Sequence, residues 1–161
     1  MNYERAHETA RVMLRGVVAG GVATAAMTAA YSVERRMRRS VGGPLDYDDG
    51  VVPGQIVLHI LHLRDLGASD ETTAGLLLRW GYGSAFGVVH VLLRRRLPEP
   101  AATAVFGSAL MAMTLTMFPL LGHTPLPWKW PLPLLATCVG THLAYVTAGA
   151  IADDQLVKVL Y

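Results

Sequence analysis

Long apolar runs separated by short polar connections dominate the hydropathy pattern of the chain. A run of about twenty apolar residues is the length that an α-helix needs to cross the hydrocarbon core of a membrane. The pattern predicts four such spans, at residues 12–33, 74–93, 101–121 and 133–152. Residues 51–66 show helical amphipathicity but are too short to span. We therefore expect a single all-α transmembrane domain, a four-helix bundle with one short amphipathic helix at the interface.

Composition supports a membrane protein and excludes other classes. Hydrophobic residues make up 52% of the chain, charged residues 16%, and the mean hydropathy is +0.35. Between residues 100 and 152 the only charged residue is Lys129. A disordered chain would have a lower fraction of hydrophobic residues and a higher fraction of charged ones. With a single cysteine, Cys138, the chain has no internal disulfide framework. The composition thus favours a protein whose main partner is the lipid bilayer.

Basic residues lie next to the ends of the apolar runs, at residues 35–39 and 94–96. This placement is typical of side chains that meet lipid headgroups, and no aromatic residues are interleaved for base stacking, so we expect no nucleic acid. Four spans place both termini on one side of the membrane. Lys and Arg are equally numerous on the two sides, so the positive-inside rule does not orient the chain. We favour cytoplasmic termini in a multi-pass protein of the inner (plasma) membrane.

Each predicted span contains small residues at a spacing of four. Such rows let two helix backbones approach closely, which is a main source of helix association in lipid. We expect these rows to pack helices together, the five-membered row of the last span above all, whereas a single pair also arises by chance in an Ala- and Gly-rich chain. The rows are Gly16, Gly20, Thr24 and Thr28 in the first span, Gly83 and Gly87 in the second, Ala104, Ser108, Ala112 and Thr116 in the third, and Ala136, Gly140, Ala144, Ala148 and Ala152 in the fourth.

The second half of the chain contains three motifs that occur together. They are FPLLGHTP at residues 118–125, Trp128 in the same connection, and GTHLAY at residues 140–145. In this combination the chain resembles the YagU-type family of uncharacterised bacterial inner-membrane proteins, over about residues 80–152. The resemblance implies a multi-span inner-membrane protein and supplies no reaction. Trp128 and Trp130 flank Lys129, as is typical of the headgroup level.

Two histidines are the candidate intramembrane polar or ligand residues. His142 lies in the fourth span on one helical face with Cys138 and Tyr145, and His90 lies in the second span. A neutral histidine in hydrocarbon needs a polar partner. Two histidines on different helices could ligate a b-type haem through axial imidazoles, or relay a proton. Alternatively, each one simply forms a hydrogen bond to a neighbouring helix.

No motif for a hydrolase, a nucleotide-binding protein or a metalloprotease occurs, and we expect no metal site. Our first hypothesis is therefore a non-enzymatic membrane protein that acts by helix association, as a homo-oligomer or with other membrane subunits. The second is a small dimeric transporter or proton-coupled carrier. The third is a b-type haem-binding electron carrier, the one reading that requires a cofactor.

Overall fold

Four α-helices form the fold of the computed structural model, which describes residues 2–37, 68–120 and 125–160. No strand occurs in these ranges, so the all-α prediction is confirmed. The amphipathic helix predicted at residues 51–66 lies outside the described residues. The helices are α1 (Asn2–Met37), α2 (Ala68–Arg94), α3 (Ala101–Leu120) and α4 (Leu132–Leu160), and a short 3-10 helix (Pro127–Lys129) precedes α4.

Three of the helices are long and apolar enough to cross a membrane, by length and composition. Their candidate spans are Tyr3–Met37, Gly75–Arg94 and Leu132–Leu160. In α3 the qualifying apolar stretch, Ala101–Met117, is shorter. These helices fit a membrane protein, as the hydropathy pattern predicts. The crossing of α3, the third predicted span, stays a prediction.

Consecutive helices run antiparallel, so that one end of the bundle holds four helix ends. At this end Glu8 of α1 contacts Arg95, just after α2, and Arg15 of α1 contacts Asp153 near the end of α4. At the opposite end the hydroxyl of Thr137, early in α4, donates to Glu34, late in α1. We call the first of these the terminal end, because α1 begins there and α4 ends there.

Two helices extend beyond the predicted spans at the terminal end. The prediction begins the first span at residue 12, whereas α1 begins at Asn2, and it ends the fourth span at residue 152, whereas α4 continues to Leu160. Hydropathy marks only the part of a helix that is apolar. Polar turns that extend a helix into water carry the same backbone hydrogen bonds without an apolar signal, so hydropathy misses them.

The core lies between α1, α3 and α4. Ala23, Phe106, Leu110, Tyr145 and Val146 are all buried and in mutual contact. Helix α1 packs closely along α2 and α4, and α3 packs more lightly against α2 and α4. This arrangement places the polar residues of α2 and α4 opposite α3, which positions both candidate histidines.

The described part of the connection before α4, residues 125–131, contains the 3-10 turn Pro127–Lys129. The indole of Trp130 is buried against Leu134 and Cys138, and its Nε1 donates to the carbonyl of Pro125 at 2.7 Å. Trp128 points outward with 76% of its surface exposed. Of the two tryptophans expected at the headgroup level, Trp128 is therefore the one exposed on the bundle surface. Trp130 is part of a buried cluster with Leu134 and Cys138.

Candidate functional site

The glycines of α1 and α2 form a direct contact between two backbones. A β-carbon built on Gly87 would lie less than 3.0 Å from backbone atoms of Gly16 and Gly20. One built on Gly20 would lie 2.5 Å from the carbonyl oxygen of Gly83. Real side chains essentially never approach so closely. These four residues therefore lie at the interface of α1 and α2.

The row on α4 faces away from the other described helices. Gly140 is exposed, and no described atom lies within 4 Å of a β-carbon built there. Ala144 and Ala148 are half-buried. That Gly140 packs against a helix therefore stays a prediction. Helix α4 turns another face inward, and on that face a β-carbon built on Gly149 would lie 3.3 Å from the β-carbon of Ala23.

A buried aspartate joins three helices at the terminal end. Asp153 of α4 is 1% exposed. Its two oxygens accept from Nε and Nη2 of Arg15 on α1, both at 2.9 Å, in a bidentate geometry. Its Oδ2 also accepts from Nη1 of Arg94 on α2 at 2.6 Å. One carboxylate thus pairs with arginines from two other helices at the edge of an apolar bundle.

Arg94 has three further acceptors. Its Nη1 donates to the carbonyl of Ala150 at 3.2 Å, its Nε contacts Oε1 of Glu99 at 2.6 Å, and its Nη2 donates to Asp154. The guanidinium is therefore held on several sides by fixed acceptors. We refer to Arg15, Arg94, Glu99, Asp153 and Asp154 as the ion cluster.

His90 is connected to the ion cluster through one hydroxyl. The side chain is 3% exposed, its ring stacks on Phe106 with centroids 4.5 Å apart, and its Nε2 lies 3.1 Å from Oγ1 of Thr103 on α3. That hydroxyl donates to Oε1 of Glu99 at 2.9 Å, so it accepts from Nε2–H of His90. Glu99 is the exposed member, with 34% of its side chain accessible.

His142 forms a self-contained pair. Its Nδ1 lies 2.7 Å from the carbonyl of Cys138, so Nδ1–H donates there, and its Nε2 lies 2.9 Å from the hydroxyl of Thr114 on α3. The neutral ring protonated on Nδ1 satisfies both bonds, with the threonine as donor to Nε2. Histidine and threonine are 8% and 6% exposed. His142 therefore faces the bundle interior and links α4 to α3.

Tyr145 and Cys138 share the inward face of α4 with His142. The Tyr145 hydroxyl donates to the carbonyl of Gly83 on α2 at 2.5 Å, beside the contact between α1 and α2. The Cys138 thiol is buried, 3.9 Å from the sulfur of Met111. All four candidate polar residues therefore contact another helix, and in His90, His142 and Tyr145 the contact is a hydrogen bond to oxygen.

Ligation by the two histidines would require a rearrangement. Each ring places Nε2 against a threonine of α3, and these hydroxyls would have to give way before the same nitrogens could bind iron. Among the described residues, no group of three or more His, Cys, Asp or Glu side chains is arranged to hold a metal ion. What the arrangement readily supports is hydrogen bonding between helices and proton movement along the chain from His90 to Glu99.

Sequence reasoning did not identify Glu99, Thr103, Thr114 and Asp153 as site residues. A signal for the two threonines exists, because they lie on the same face of α3 as Phe106 and Leu110, the face turned inward. Asp153 follows directly after the apolar run, where a carboxylate in water is the ordinary interpretation. Only the approach of Arg15 and Arg94 from two other helices makes it a buried residue.

Comparisons of the chain with protein family models, with characterised proteins and with solved structures find no match. The resemblance to the YagU-type family therefore stays a prediction from motifs.

Proposed function

We propose that this chain is a non-enzymatic membrane protein that acts by helix association, with a second copy of itself or with another membrane subunit. The observation that carries the proposal is the outward position of small residues at a spacing of four. On α3, Ala104, Ser108, Ala112 and Thr116 are all exposed, and on α4, Ala136 and Gly140 are exposed. Inside the bundle the same spacing brings α1 and α2 into backbone contact.

Physical reasoning supports an outward row as a place for a further helix. Lipid tails are as apolar as leucine, so burial of apolar surface does not drive association in a bilayer, and close packing of backbones does. A row without large side chains offers that approach. On α4 the row is open at Gly140, where nothing described lies within 4 Å of the β-carbon position.

The test compares two exposed glycines in the purified protein reconstituted in lipid. Gly140→Leu places a branched side chain in the outward row of α4, and Gly81→Leu places the same side chain at an exposed position of α2 that also has open space around it. We expect Gly140→Leu to weaken self-association, measured by energy transfer between labelled copies, by roughly tenfold to a hundredfold. Gly81→Leu should leave association unchanged.

A monomeric wild type would redirect the test to other subunits. In that case we expect membrane proteins that co-purify with the wild type to be lost from Gly140→Leu and retained by Gly81→Leu. Equal association of both variants, together with the same set of co-purified proteins, would contradict the proposal.

The haem hypothesis has a separate test. An electron carrier with two axial imidazoles has a Soret band, so the visible spectrum of the protein purified from haem-replete cells decides the matter. His142→Ala should abolish a band that depends on this residue. A wild-type spectrum without a Soret band ends this alternative.

A further inference from the structure

We propose that His90, Thr103 and Glu99 form a proton path that connects the bundle interior with water at the terminal end. The inference goes beyond helix association and does not depend on it. It rests on an unbroken hydrogen-bond chain, on the burial of its inner member and on the exposure of its outer member.

The chain has hydrogen-bond distances at both steps. His90 Nε2 lies 3.1 Å from Thr103 Oγ1, and Thr103 Oγ1 lies 2.9 Å from Glu99 Oε1. A hydroxyl is suited to the middle position because it can accept one proton while it releases another. The inner ring is 3% exposed, whereas Glu99 is accessible over 34% of its side chain. The exposed carboxylate is therefore the exit of the path.

The transfer step balances in atoms and charge. When His90 carries a proton on both nitrogens, the Nε2–H bond breaks and an O–H bond forms on Thr103, while the original O–H bond of Thr103 breaks and a new O–H bond forms on Glu99. Imidazolium and carboxylate become a neutral imidazole and a neutral carboxylic acid. Glu99 then releases the proton to water, and the reverse sequence loads His90.

Charged groups around the path come from every element packed against it. Arg94 lies one turn beyond His90 on α2 and holds Glu99 in place through Nε at 2.6 Å. Asp153 on α4 faces the same guanidinium, and Arg15 on α1 holds Asp153. The other members of the ion cluster thus fix the position of the Glu99 carboxylate. Their charges lie close to the proton that moves between His90 and Glu99.

His142 provides a built-in comparison. It also bonds to a threonine of α3, but its other nitrogen bonds to the carbonyl of Cys138, and Thr114 is 6% exposed. Among the described residues, no hydrogen bond joins that pair to a carboxylate. The part of the chain that the structure describes thus offers a proton on His142 no relay to water, and the two histidines should differ in how fast they exchange protons.

The experiment measures exchange of ring N–H protons with water by NMR on protein labelled with 15N-histidine and reconstituted in lipid. We expect His90 to exchange at least about tenfold faster than His142, because a positioned acid–base group accelerates proton transfer by at least this factor. Thr103→Val and Glu99→Gln should each slow His90 by about tenfold or more and leave His142 unchanged. Thr103→Ser keeps the hydroxyl, so His90 should exchange at the wild-type rate in this variant.

A matched control separates the path from a general loss of charge at the terminal end. Glu8 is also an exposed carboxylate paired with an arginine, Arg95, at this end, and it has no hydrogen bond to the path. Glu8→Gln should leave His90 exchange at the wild-type rate. Exchange of His90 as slow as that of His142, or unaffected by both Thr103→Val and Glu99→Gln, would overturn the proposal. The proposal would also be overturned if Glu8→Gln slowed His90 exchange as much as Glu99→Gln does.

Discussion

Asp153 accepts from arginines on two other helices while only 1% of its surface is exposed. Bringing charges out of water is costly, and a buried ion pair gains little net stability over a well-packed apolar pair. Removing one partner is a different matter, because it leaves the other charge buried without compensation. The ion cluster therefore fixes which helices meet at the terminal end more than it adds to stability.

Replacing Asp153 by Asn should destabilise the protein strongly. The amide keeps the shape of the side chain but leaves Arg15 and Arg94 without the carboxylate between them, and breaking such a buried pair costs about 3–5 kcal/mol. The measurement is the free energy of unfolding in a mixed detergent titration.

Asp154 supplies the control for this substitution. It contacts the same Arg94, but 55% of its side chain is exposed. Asp154→Asn should cost less than about 1 kcal/mol, as is typical of an exposed ion pair. Equal costs for the two variants would show that burial of Asp153 does not matter.

Individual residues were predictable from the sequence only in part. His142 and Tyr145 stand out because polar groups in an apolar helix must find partners, and both are buried with hydrogen bonds to other helices. Their partners were not predictable, because Thr114 lies 28 positions away and Gly83 lies 62 positions away. Such pairings depend on how helices rotate about their axes, and one sequence does not specify that rotation.

At the scale of the helices, the contact between α1 and α2 depends on positions where no side chain fits. Gly87 lies against the backbone of Gly16 and Gly20, and a backbone cannot move aside as a flexible side chain can. The close approach also brings Thr24 against Gly83, where the threonine hydroxyl already donates to the carbonyl of Gly20 at 2.8 Å. The contact is therefore specific for glycine.

Adding one methyl group tests this contact. Gly87→Ala should destabilise the protein by about 1–3 kcal/mol, because α1 and α2 must separate to admit the β-carbon. Gly81→Ala, on the same helix with open space around it, should be neutral or stabilising by up to about 1 kcal/mol, because alanine favours a helix more than glycine does. Thermal unfolding in detergent measures both, and a stabilising Gly87→Ala would contradict the packing.

The helices themselves were predictable because hydropathy detects long apolar segments. Which face of a helix turns inward was harder. On α1 and α2 the glycine rows mark the contact, whereas on α4 the row at Gly140 points outward and Gly149 makes the contact. Gly149 has Tyr145 and Asp153 four positions before and after it, so a search for small residues at a spacing of four does not find it.

At the scale of the whole molecule, the antiparallel order places the beginning of α1 and the end of α4 at one end, and the Pro127–Lys129 turn at the other. That both termini lie on one side of a membrane stays a prediction. Two exposed residues mark the two ends, namely Asp154, in the ion cluster, and Trp128, in the turn.

Thiol labelling of these two positions tests whether α4 crosses the membrane. Asp154→Cys and Trp128→Cys should react with a membrane-impermeant thiol reagent from opposite sides of sealed vesicles, while the buried Cys138 stays unreactive in both. A third variant, Glu8→Cys, should react from the same side as Asp154→Cys. Labelling of Asp154→Cys and Trp128→Cys from one side would mean that α4 does not span.

The pairing of Arg15 with Asp153 also orders events in time. The two residues are separated by 138 positions, and ribosomes add about 5–20 residues per second, so roughly ten seconds pass between their synthesis. During that interval α1 already exists with Arg15 but without Asp153, and α2 joins it with Arg94, whose partner Glu99 follows five positions later. The arrival of α4 brings the one carboxylate that both arginines share. A nascent chain that stops before Asp153 therefore lacks the residue that links α1, α2 and α4 at the terminal end.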